Sequence, residues 1–318
     1  MNMTFRNSCL AVTALALMTG ATACTNTESA ASSGGEGASQ AAGPVLGAGG
    51  QEAAQAVEED PAVSALVPQD LKDKGTMELV TDPTYAPIDF TDDKGNIVGL
   101  EPDMALAAAK KMGLDITINK GDFNGILAGI EAERYDASWA AFSITPERQE
   151  RVTMVSYMQG GTSVMVKKDN PESIAGVLDL CGKTVAAQTG TTQALTVLPG
   201  FQEECKKAGK EEVTELVLPQ QDNVNQAVAT GRAAAMAADG ALIAYYSQLQ
   251  PDVFAAVEDI LVEPSLAGVV VNQKDKELAD AFKAAIDSLI ADGTYTEIME
   301  AWSLGNTAVE ASEINPAK

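Results

Sequence analysis

The sequence contains no histidine in its 318 residues. Without an imidazole, the chain cannot form a Ser-His-Asp or Cys-His hydrolase centre, a histidine metal site or a histidine proton shuttle. An enzyme that works through carboxylates, lysine or tyrosine is still compatible with the composition. The absence therefore removes several classes of catalyst before any motif is considered.

Cationic side chains are scarce as well. The 21 Lys and Arg are outnumbered by 45 Asp and Glu, which gives a net charge of −24 and a pI near 4.2. This acidity argues against a nucleic-acid partner and against charge-driven adhesion to anionic lipid. Hydrophobic residues make up 46% of the chain, so it is not a wholly disordered acidic polymer. The length allows two domains with a real core.

Long apolar runs are also lacking. The run from Cys9 to Ala23 follows Arg6 and is too short for a membrane span, so it indicates a signal peptide over residues 1–23. The small residues before Cys24 resemble the lipobox of bacterial lipoproteins, in which the cysteine carries the lipid, although Ala21 stands where Leu is more usual. The same residues also fit an ordinary A-x-A cleavage site, which would leave Cys24 unmodified.

The stretch that follows the cysteine supports an anchor. Residues 25–66 contain no Lys, Arg or aromatic residue and are rich in Ala, Gly, Ser and Glu. Such a segment buries too little apolar surface to offset its ordering entropy. We therefore assign residues 24–70 to a lipidated cysteine and a flexible acidic tether, and we expect an exported protein anchored to the outer face of the cell membrane.

The cysteine count agrees with export. Cys9 is removed with the signal peptide and Cys24 takes the lipid, so Cys181 and Cys205 remain. An even pair in an oxidising compartment predicts a disulfide, and the alternative is two buried free thiols.

Beyond the tether the pattern is α/β. Short apolar runs alternate with helical repeats, which favours mostly parallel sheet with helices on its faces. We predict strands over 77–82, 115–119, 135–143, 162–166, 184–187, 213–217, 233–239 and 269–272. Predicted helices begin near Pro102, Gly125, Gly190, Asn223 and Glu277, and another helix precedes a loose tail.

Four blocks carry a resemblance to a known family: TDPTYAPIDFTDDKGNIVGLEPDMALAAAKKMG (81–113), DFNGILAGIEAERYDASWAAFSITPERQERVTMVSYM (122–158), CGKTVAAQTGTTQAL (181–195) and DGTYTEIMEAWSLG (292–305). They resemble the extracellular solute-binding proteins of amino-acid ABC transporters, which have the type 2 periplasmic-binding-protein fold. The resemblance implies two lobes joined by two hinge crossings. The first lobe would comprise residues 72–161 with 267–305, the second 163–265, and the loose tail 306–318.

Arg148 and Asp239 are the expected charged contacts of the ligand. Thr145 and Pro146 predict a helix start, which places Arg148 in a first turn where a guanidinium suits a carboxylate. The alternative is a solvated Arg148 paired with neighbouring glutamates. Asp239 follows a predicted strand, where an α/β sheet binds ligands, and could instead cap the next helix. The family's carboxylate-binding and ammonium-binding residues match these two positions.

The remaining contacts are implied by the resemblance. Asp82 follows the first strand and would either bind the ligand or cap the loop. Aromatic walls match Tyr85 and Phe123, and groups that hold the amino and carboxylate ends match Ala140, Ala141 and Ser143. Second-lobe contacts match Gln188, Thr191 and Thr192, and the two threonines stand at another helix start.

The resemblance implies a receptor without cofactor or metal, and without catalysis, that delivers a free L-amino acid to an ABC permease and its ATPase. We expect a monomer. No second cation appears in the matched pocket, which favours a polar neutral ligand such as glutamine over a basic one that uses Asp82. The alternatives are an amino-acid sensor acting in trans and a dehydratase of the same fold.

Overall fold

The computed structural model describes residues 48–317, without the side chains of residues 48, 49, 263 and 264. The predicted signal peptide, Cys24 and the first part of the tether lie outside the described residues. No helix in the described range is long and apolar enough to cross a membrane.

The described chain alternates short strands and helices. The strands are β1 (Thr76–Thr81), β2 (Thr84–Tyr85), β3 (Asp89–Thr91), β4 (Ile97–Val98), β5 (Asp115–Lys120), β6 (Ala137–Ser138), β7 (Val152–Lys167), β8 (Thr184–Gln188), β9 (Thr214–Leu218), β10 (Ala235–Asp239) and β11 (Phe254–Asn272). The helices are α1 (Ala48–Ala56), α2 (Pro61–Ser64), α3 (Gln69–Lys74), α4 (Leu100–Lys111), α5 (Phe123–Glu131), α6 (Pro146–Gln149), α7 (Leu198–Lys207), α8 (Gln221–Ala229), α9 (Gly240–Leu249), α10 (Lys276–Asp292) and α11 (Thr294–Ala301).

The main sheet has the strand order β5-β1-β6-β11-β7-β10-β8-β9. At one end β1 pairs in parallel with β5 and β6, and at the other end β8 pairs in parallel with β9 and β10. The long strands β7 and β11 run antiparallel to each other and join the two ends. We call the part built on β1–β6, α4–α6, α10 and α11 the first lobe, and the part built on β8–β10 and α7–α9 the second lobe. The two-lobe α/β prediction is confirmed.

The two crossing strands were only partly predicted. The predicted strands 162–166 and 269–272 are the last parts of β7 and β11, which begin at Val152 and Phe254. The parts that were not predicted contain Gly160-Gly161 and Glu258-Asp259, which hide the strand pattern. By contrast, the Ala-rich run 233–239 is a strand as predicted, because β10 is buried between β7 and β8.

The tether prediction is wrong from residue 48 onward. Helices α1, α2 and α3 pack against α11, α10 and β1 of the first lobe. Ala54, Val63, Val67 and Leu71 are buried there. Small alanine side chains allow close helix packing, and Asp60 caps α2 by accepting a hydrogen bond from the Ala62 N–H. The flexible-tether interpretation therefore fails for residues 48–70.

The predicted loose tail is also wrong over residues 306–317. Ile314 forms a β-bridge with Val155, and the buried Ser312 hydroxyl donates a hydrogen bond to the Ser156 carbonyl. Near the end, the Ala317 N–H donates to the Gln149 side chain. The segment therefore adds backbone hydrogen bonds to the crossing strand β7.

The predicted disulfide is present between Cys181 and Cys205. Cys205 lies on α7 and is buried in the apolar core of the second lobe. The bond therefore ties α7 to the segment that leads into β8.

Candidate ligand-binding site

One cavity between the lobes brings together all eleven predicted site residues and adds Asp89 and Gln193. The first lobe contributes Asp82, Tyr85, Asp89, Phe123, Ala140, Ala141, Ser143 and Arg148, and the second lobe contributes Gln188, Thr191, Thr192, Gln193 and Asp239. Several of these residues stand at the carboxyl ends of β1, β8 and β10, where an α/β sheet opens towards a ligand. No group of three metal-ligating side chains occurs within residues 48–317.

Arg148 is a buried cation that pairs with no carboxylate in the described part of the chain. Thr145 caps α6 by accepting a hydrogen bond from the Arg148 N–H, which fixes the residue in the first turn as predicted. Only 8% of Arg148 is exposed, and within residues 48–317 no carboxylate oxygen lies within 4.0 Å of its guanidinium. The alternative of a solvated arginine paired with a neighbouring glutamate is therefore excluded.

The guanidinium is nevertheless well oriented. It donates to the carbonyls of Ser143 at 2.7 Å and Gly190 at 3.0 Å, and its carbon lies 5.1 Å from the ring centre of Phe142. Burial lowers the pKa of Arg148 to about 10, so the group keeps its charge at neutral pH. A desolvated, oriented cation of this kind favours an anionic group as its partner.

Asp239 occupies the cap position of α9, but its side chain makes no capping hydrogen bond. Its carboxylate instead accepts hydrogen bonds from the Tyr85 hydroxyl and the Gln193 amide, both at 2.9 Å. Burial is the main cause that raises the pKa of Asp239, and Arg148 partly opposes it. The carboxylate therefore faces the cavity, as the functional alternative requires, rather than serving the helix.

Asp82 closes its own loop and also lines the cavity. It is 4% exposed and accepts hydrogen bonds from the Thr84 hydroxyl at 3.0 Å and the Phe123 N–H at 3.2 Å, which close the loop. It also accepts a hydrogen bond at 2.8 Å from the Gln188 amide across the cleft. Burial raises its pKa.

Aromatic rings form the wall beside Arg148. Phe123 stacks on Phe142 with ring centres 4.4 Å apart. Tyr85 of the first lobe donates a hydrogen bond across the cleft to Asp239 of the second lobe. Phe142 does not line the cavity and was not among the predicted residues. Its ring packs against Phe123 and against the Arg148 guanidinium, so it supports the wall without facing the cavity.

The two lobes are bridged directly, so the cleft is closed. Besides the Tyr85–Asp239 and Asp82–Gln188 bonds, the hydroxyls of Ser143 and Thr192 lie 3.2 Å apart. Thr191 is turned towards its own lobe, since its hydroxyl donates to the Gln188 carbonyl at 2.7 Å. A ligand that binds in this cavity would replace some of these cross-lobe hydrogen bonds with hydrogen bonds to its own polar groups.

Two residues of the lining were missed. Gln193 directly follows the predicted threonines and begins a π-helical turn that leads into α7, so adjacency was its only signal. Asp89 lies on the short strand β3, where no pattern marks it. With Asp89 included, the cavity lining carries three carboxyl groups and one guanidinium.

The comparisons with known proteins agree with this geometry. Residues 77–306 match the family described as bacterial extracellular solute-binding proteins, family 3. The chain is 28% identical to the arginine-binding protein ArgT of Corynebacterium glutamicum, over 80% of this chain and 83% of the relative. It is 27% identical to the histidine-binding periplasmic protein of Salmonella typhimurium, over 74% of this chain and 88% of the relative.

Solved structures of amino-acid-binding proteins also share the fold of this chain. An ancestral arginine-binding protein bound to arginine superposes with a TM-score of 0.65 at 29% identity, covering 72% of this chain and 98% of that one. The ancestral amino acid-binding protein AncCDT-1, a precursor of cyclohexadienyl dehydratase, superposes with a TM-score of 0.67 at 28% identity, covering 75% and 99%. The chain belongs to the bacterial extracellular solute-binding proteins of family 3.

Proposed function

We propose that the protein captures a free basic amino acid between its two lobes and delivers it to an ABC permease. The observation that carries this proposal is the buried guanidinium of Arg148, which has an oriented fork of donors and no carboxylate partner in the described chain. An α-carboxylate supplies the missing charge through a bidentate, charge-assisted contact.

The α-ammonium group binds at Asp239. This carboxylate has hydrogen bonds from Tyr85 and Gln193 but no cation within 4.0 Å in the described part of the chain. Arg148 and Asp239 come from opposite lobes, so a zwitterion joins them. The ligand therefore stabilises the closed form through both of its charged groups.

The side chain of the ligand is basic. Three carboxyl groups and one guanidinium line the cavity, and a zwitterion uses one of each charge. Asp82 and Asp89 are left, and Asp82 faces the cationic side chain, for which the ring of the adjacent Phe123 offers a face. The arginine- and histidine-binding relatives support this choice. It reverses the preference for a glutamine-like ligand that the sequence alone suggested.

Isothermal titration calorimetry tests the ligand class. L-arginine, L-lysine, L-histidine, L-glutamine and L-glutamate are titrated into the ligand-free protein at one ionic strength. We expect the basic amino acids to bind most tightly and L-glutamate most weakly. Tighter binding of L-glutamine than of every basic amino acid would restore the original preference, and no binding of any of the five would remove the amino-acid proposal.

Membrane attachment through Cys24 is the second part of the proposal. Incorporation of radiolabelled palmitate into the wild-type protein, and its loss in Cys24→Ala, would establish the lipid anchor. A mature N-terminus at residue 24 with no added mass would instead indicate simple secretion.

A dehydratase is the second candidate, favoured by one observation. Asp89 is an acid that lines the cavity, and burial with a facing carboxyl raises its pKa well above the usual range, as a general acid requires. The likeness to the precursor of a dehydratase adds to this candidate. Mass spectrometry of cyclic hydroxylated amino acids after incubation with the protein would reveal loss of water if the chain is an enzyme.

A further inference from the structure

Two carboxyl side chains, Asp89 and Glu101, line one small cavity beside β1, and Asp89 also lines the ligand cavity. Asp89 on β3 is 2% exposed and Glu101 in the first turn of α4 is 1% exposed. Within residues 48–317 no Lys or Arg lies within 4.0 Å of either group. Two buried ionised carboxylates without a cation would repel each other strongly, so the pair needs another means of neutralisation.

The backbone is shaped to bring these residues together. Gly99 precedes α4 with φ of 143°, and a Cβ at this position would lie 2.0 Å from the Ile88 carbonyl oxygen. The same carbonyl accepts the Glu101 N–H at 3.1 Å. Only glycine allows the start of α4 to approach β3 this closely.

The hydrogen bonds of the pair leave room for one proton. One Glu101 oxygen accepts hydrogen bonds from the Ala141 N–H at 2.8 Å and from the Tyr157 hydroxyl. The other Glu101 oxygen, Oε2, and Asp89 Oδ1 are buried and have no hydrogen-bond partner in the described chain. Burial raises the pKa of both carboxyl groups; Glu101 raises that of Asp89 further, whereas the contact with Asp89 partly opposes the rise at Glu101. A proton on Asp89 would supply a donor for the unpartnered Glu101 oxygen.

Glu101 acts on the ligand site through Ala141. This alanine has φ of 50°, in the left-handed region that non-glycine residues rarely adopt, and it lines the cavity with Ala140 and Ser143. The Glu101 carboxylate holds the Ala141 N–H, and Arg148 holds the Ser143 carbonyl at the other end of the segment.

We propose that Asp89 and Glu101 share a single proton and that this pair is the positioning element that holds the Ala140–Ser143 segment in its ligand-binding shape. We call this hydrogen-bonded pair of Asp89 and Glu101 the brace. It fixes the segment only while it carries the shared proton. The pH arm of the test rests on the proposed binding of a basic amino acid, whereas the proton itself is a property of the ligand-free protein.

The surroundings of the pair make the proton necessary. Asp82 at the end of β1 and Asp239 at the end of β10 are the nearest charged groups that act on it, and both are acids. Tyr85 on β2 and Tyr157 on β7 also face this region and are neutral, since burial raises their pKa well above the usual range. When the pH rises past the raised pKa of Asp89, two adjacent charges form and the brace loosens. Affinity should then fall.

The pH dependence of L-arginine binding tests the brace. Calorimetry from pH 6 to pH 9.5 compares the wild type with Asp89→Asn, in which an amide donates permanently to Glu101. We expect the affinity of the wild type to fall more steeply towards alkaline pH than that of D89N. The amine of the ligand and Arg148 titrate in both proteins, so only the difference counts. Parallel curves would overturn the proposal.

Variants of Glu101 separate positioning from general packing. Glu101→Ala removes the acceptor of Ala141 and should weaken binding by about 10- to 100-fold, the value of a hydrogen bond to a charged group. Glu101→Gln keeps an acceptor for Ala141 and should recover most of that loss. Equal losses in the two variants, with both folded by circular dichroism, would contradict the positioning role.

A ligand-free measurement keeps the two proposals distinguishable. Carbon-13 NMR of the Asp and Glu carboxyl groups should show one signal that titrates far above the ordinary range and is absent in D89N. If that signal exists and L-arginine does not bind, the function proposed above fails and the shared proton stands. If no such signal exists, the shared proton is wrong whatever the ligand is.

Discussion

The two lobes differ in how the rest of the chain stabilises them. Helices α1–α3 and residues 306–317 pack on the first lobe or on its end of β7. The second lobe is the part of the chain between the two crossing strands in sequence; its strands lie beyond β7 at one end of the sheet, and it carries the Cys181–Cys205 disulfide. Each lobe also brings its own charge to the cavity, Arg148 from the first and Asp239 from the second. An amino-acid zwitterion bound as proposed would therefore contact both lobes at once.

The largest expected effect on ligand affinity comes from removing Arg148, the charge that the first lobe contributes to the cavity. Arg148→Ala should lower the affinity for L-arginine by at least about 100-fold, because the ligand carboxylate would be buried without a partner. Arg151→Ala is the matched control, since that side chain is 53% exposed and pairs with Glu131 on the surface. Calorimetry measures both. Near wild-type affinity in Arg148→Ala would mean that the carboxylate binds elsewhere.

The disulfide is expected to matter for the second lobe alone. The double variant C181A/C205A should lose about 3 kcal/mol of unfolding free energy, the value for a loop of this length. Hydrogen exchange should rise in α7 and β8 and stay unchanged in α4 and β1. An equal rise of hydrogen exchange in both lobes would show that they unfold as one unit, and the contrast between the lobes would then be weaker.

Asp82 and Asp239 should differ in their effect on ligand selectivity. Asp82→Asn should weaken L-arginine binding by about 10- to 100-fold and change L-glutamine binding much less, because only the basic side chain needs this charge. Asp239→Asn should weaken both ligands, since both present an α-ammonium group. Calorimetry with the two amino acids on the two variants checks this. Equal losses for both ligands in Asp82→Asn would mean that Asp82 supports the loop and does not select the side chain.

The smallest effect concerns the docking of the N-terminal helices. Asp103 on α4 accepts a hydrogen bond from Trp302 beside Gly50 of α1, and burial raises its pKa to about 6. A raised pKa stabilises the fold below the ordinary carboxyl value and loses this contribution as the pH rises through 6. Asp103→Asn should therefore match the wild type near pH 4 and melt slightly higher at pH 7.

Thermal melts across this pH range measure the difference. The exposed acid Asp70 serves as the control, and Asp70→Asn should follow the wild-type curve throughout. If D103N shows no gain above pH 6, the Asp103 carboxyl is not the group that links this contact to pH.

Much of the candidate site could be predicted because it depends on local signals. Thr145 and Pro146 begin α6 and so place Arg148, and Asp239 stands where β10 ends. Parallel strands present their carboxyl ends at one edge, so residues far apart in sequence meet there. Family resemblance supplied the remaining members. The role of each residue towards a ligand stays a prediction until binding is measured.

Two regions were mispredicted, each for its own reason. Residues 48–70 contain few large apolar side chains and no aromatic one, and their small side chains bury surface only because α4, α10 and α11 offer a close-fitting face. The early parts of β7 and β11 lack alternation, and they are strands because each pairs antiparallel with the late part of the other strand. That pairing joins segments about 100 residues apart, so the local sequence does not reveal it.

The sequence by itself determined the α/β alternation, the family and the chemical types of the site residues, because these follow from local periodicity, capping signals and motif order. The tertiary structure alone decided that Asp239 turns to the cavity rather than to its helix, that both ends of the described chain pack on the fold, and that Asp89 meets Glu101. These outcomes depend on burial and on contacts between distant segments, and the energy of a buried charge is set by its three-dimensional neighbours.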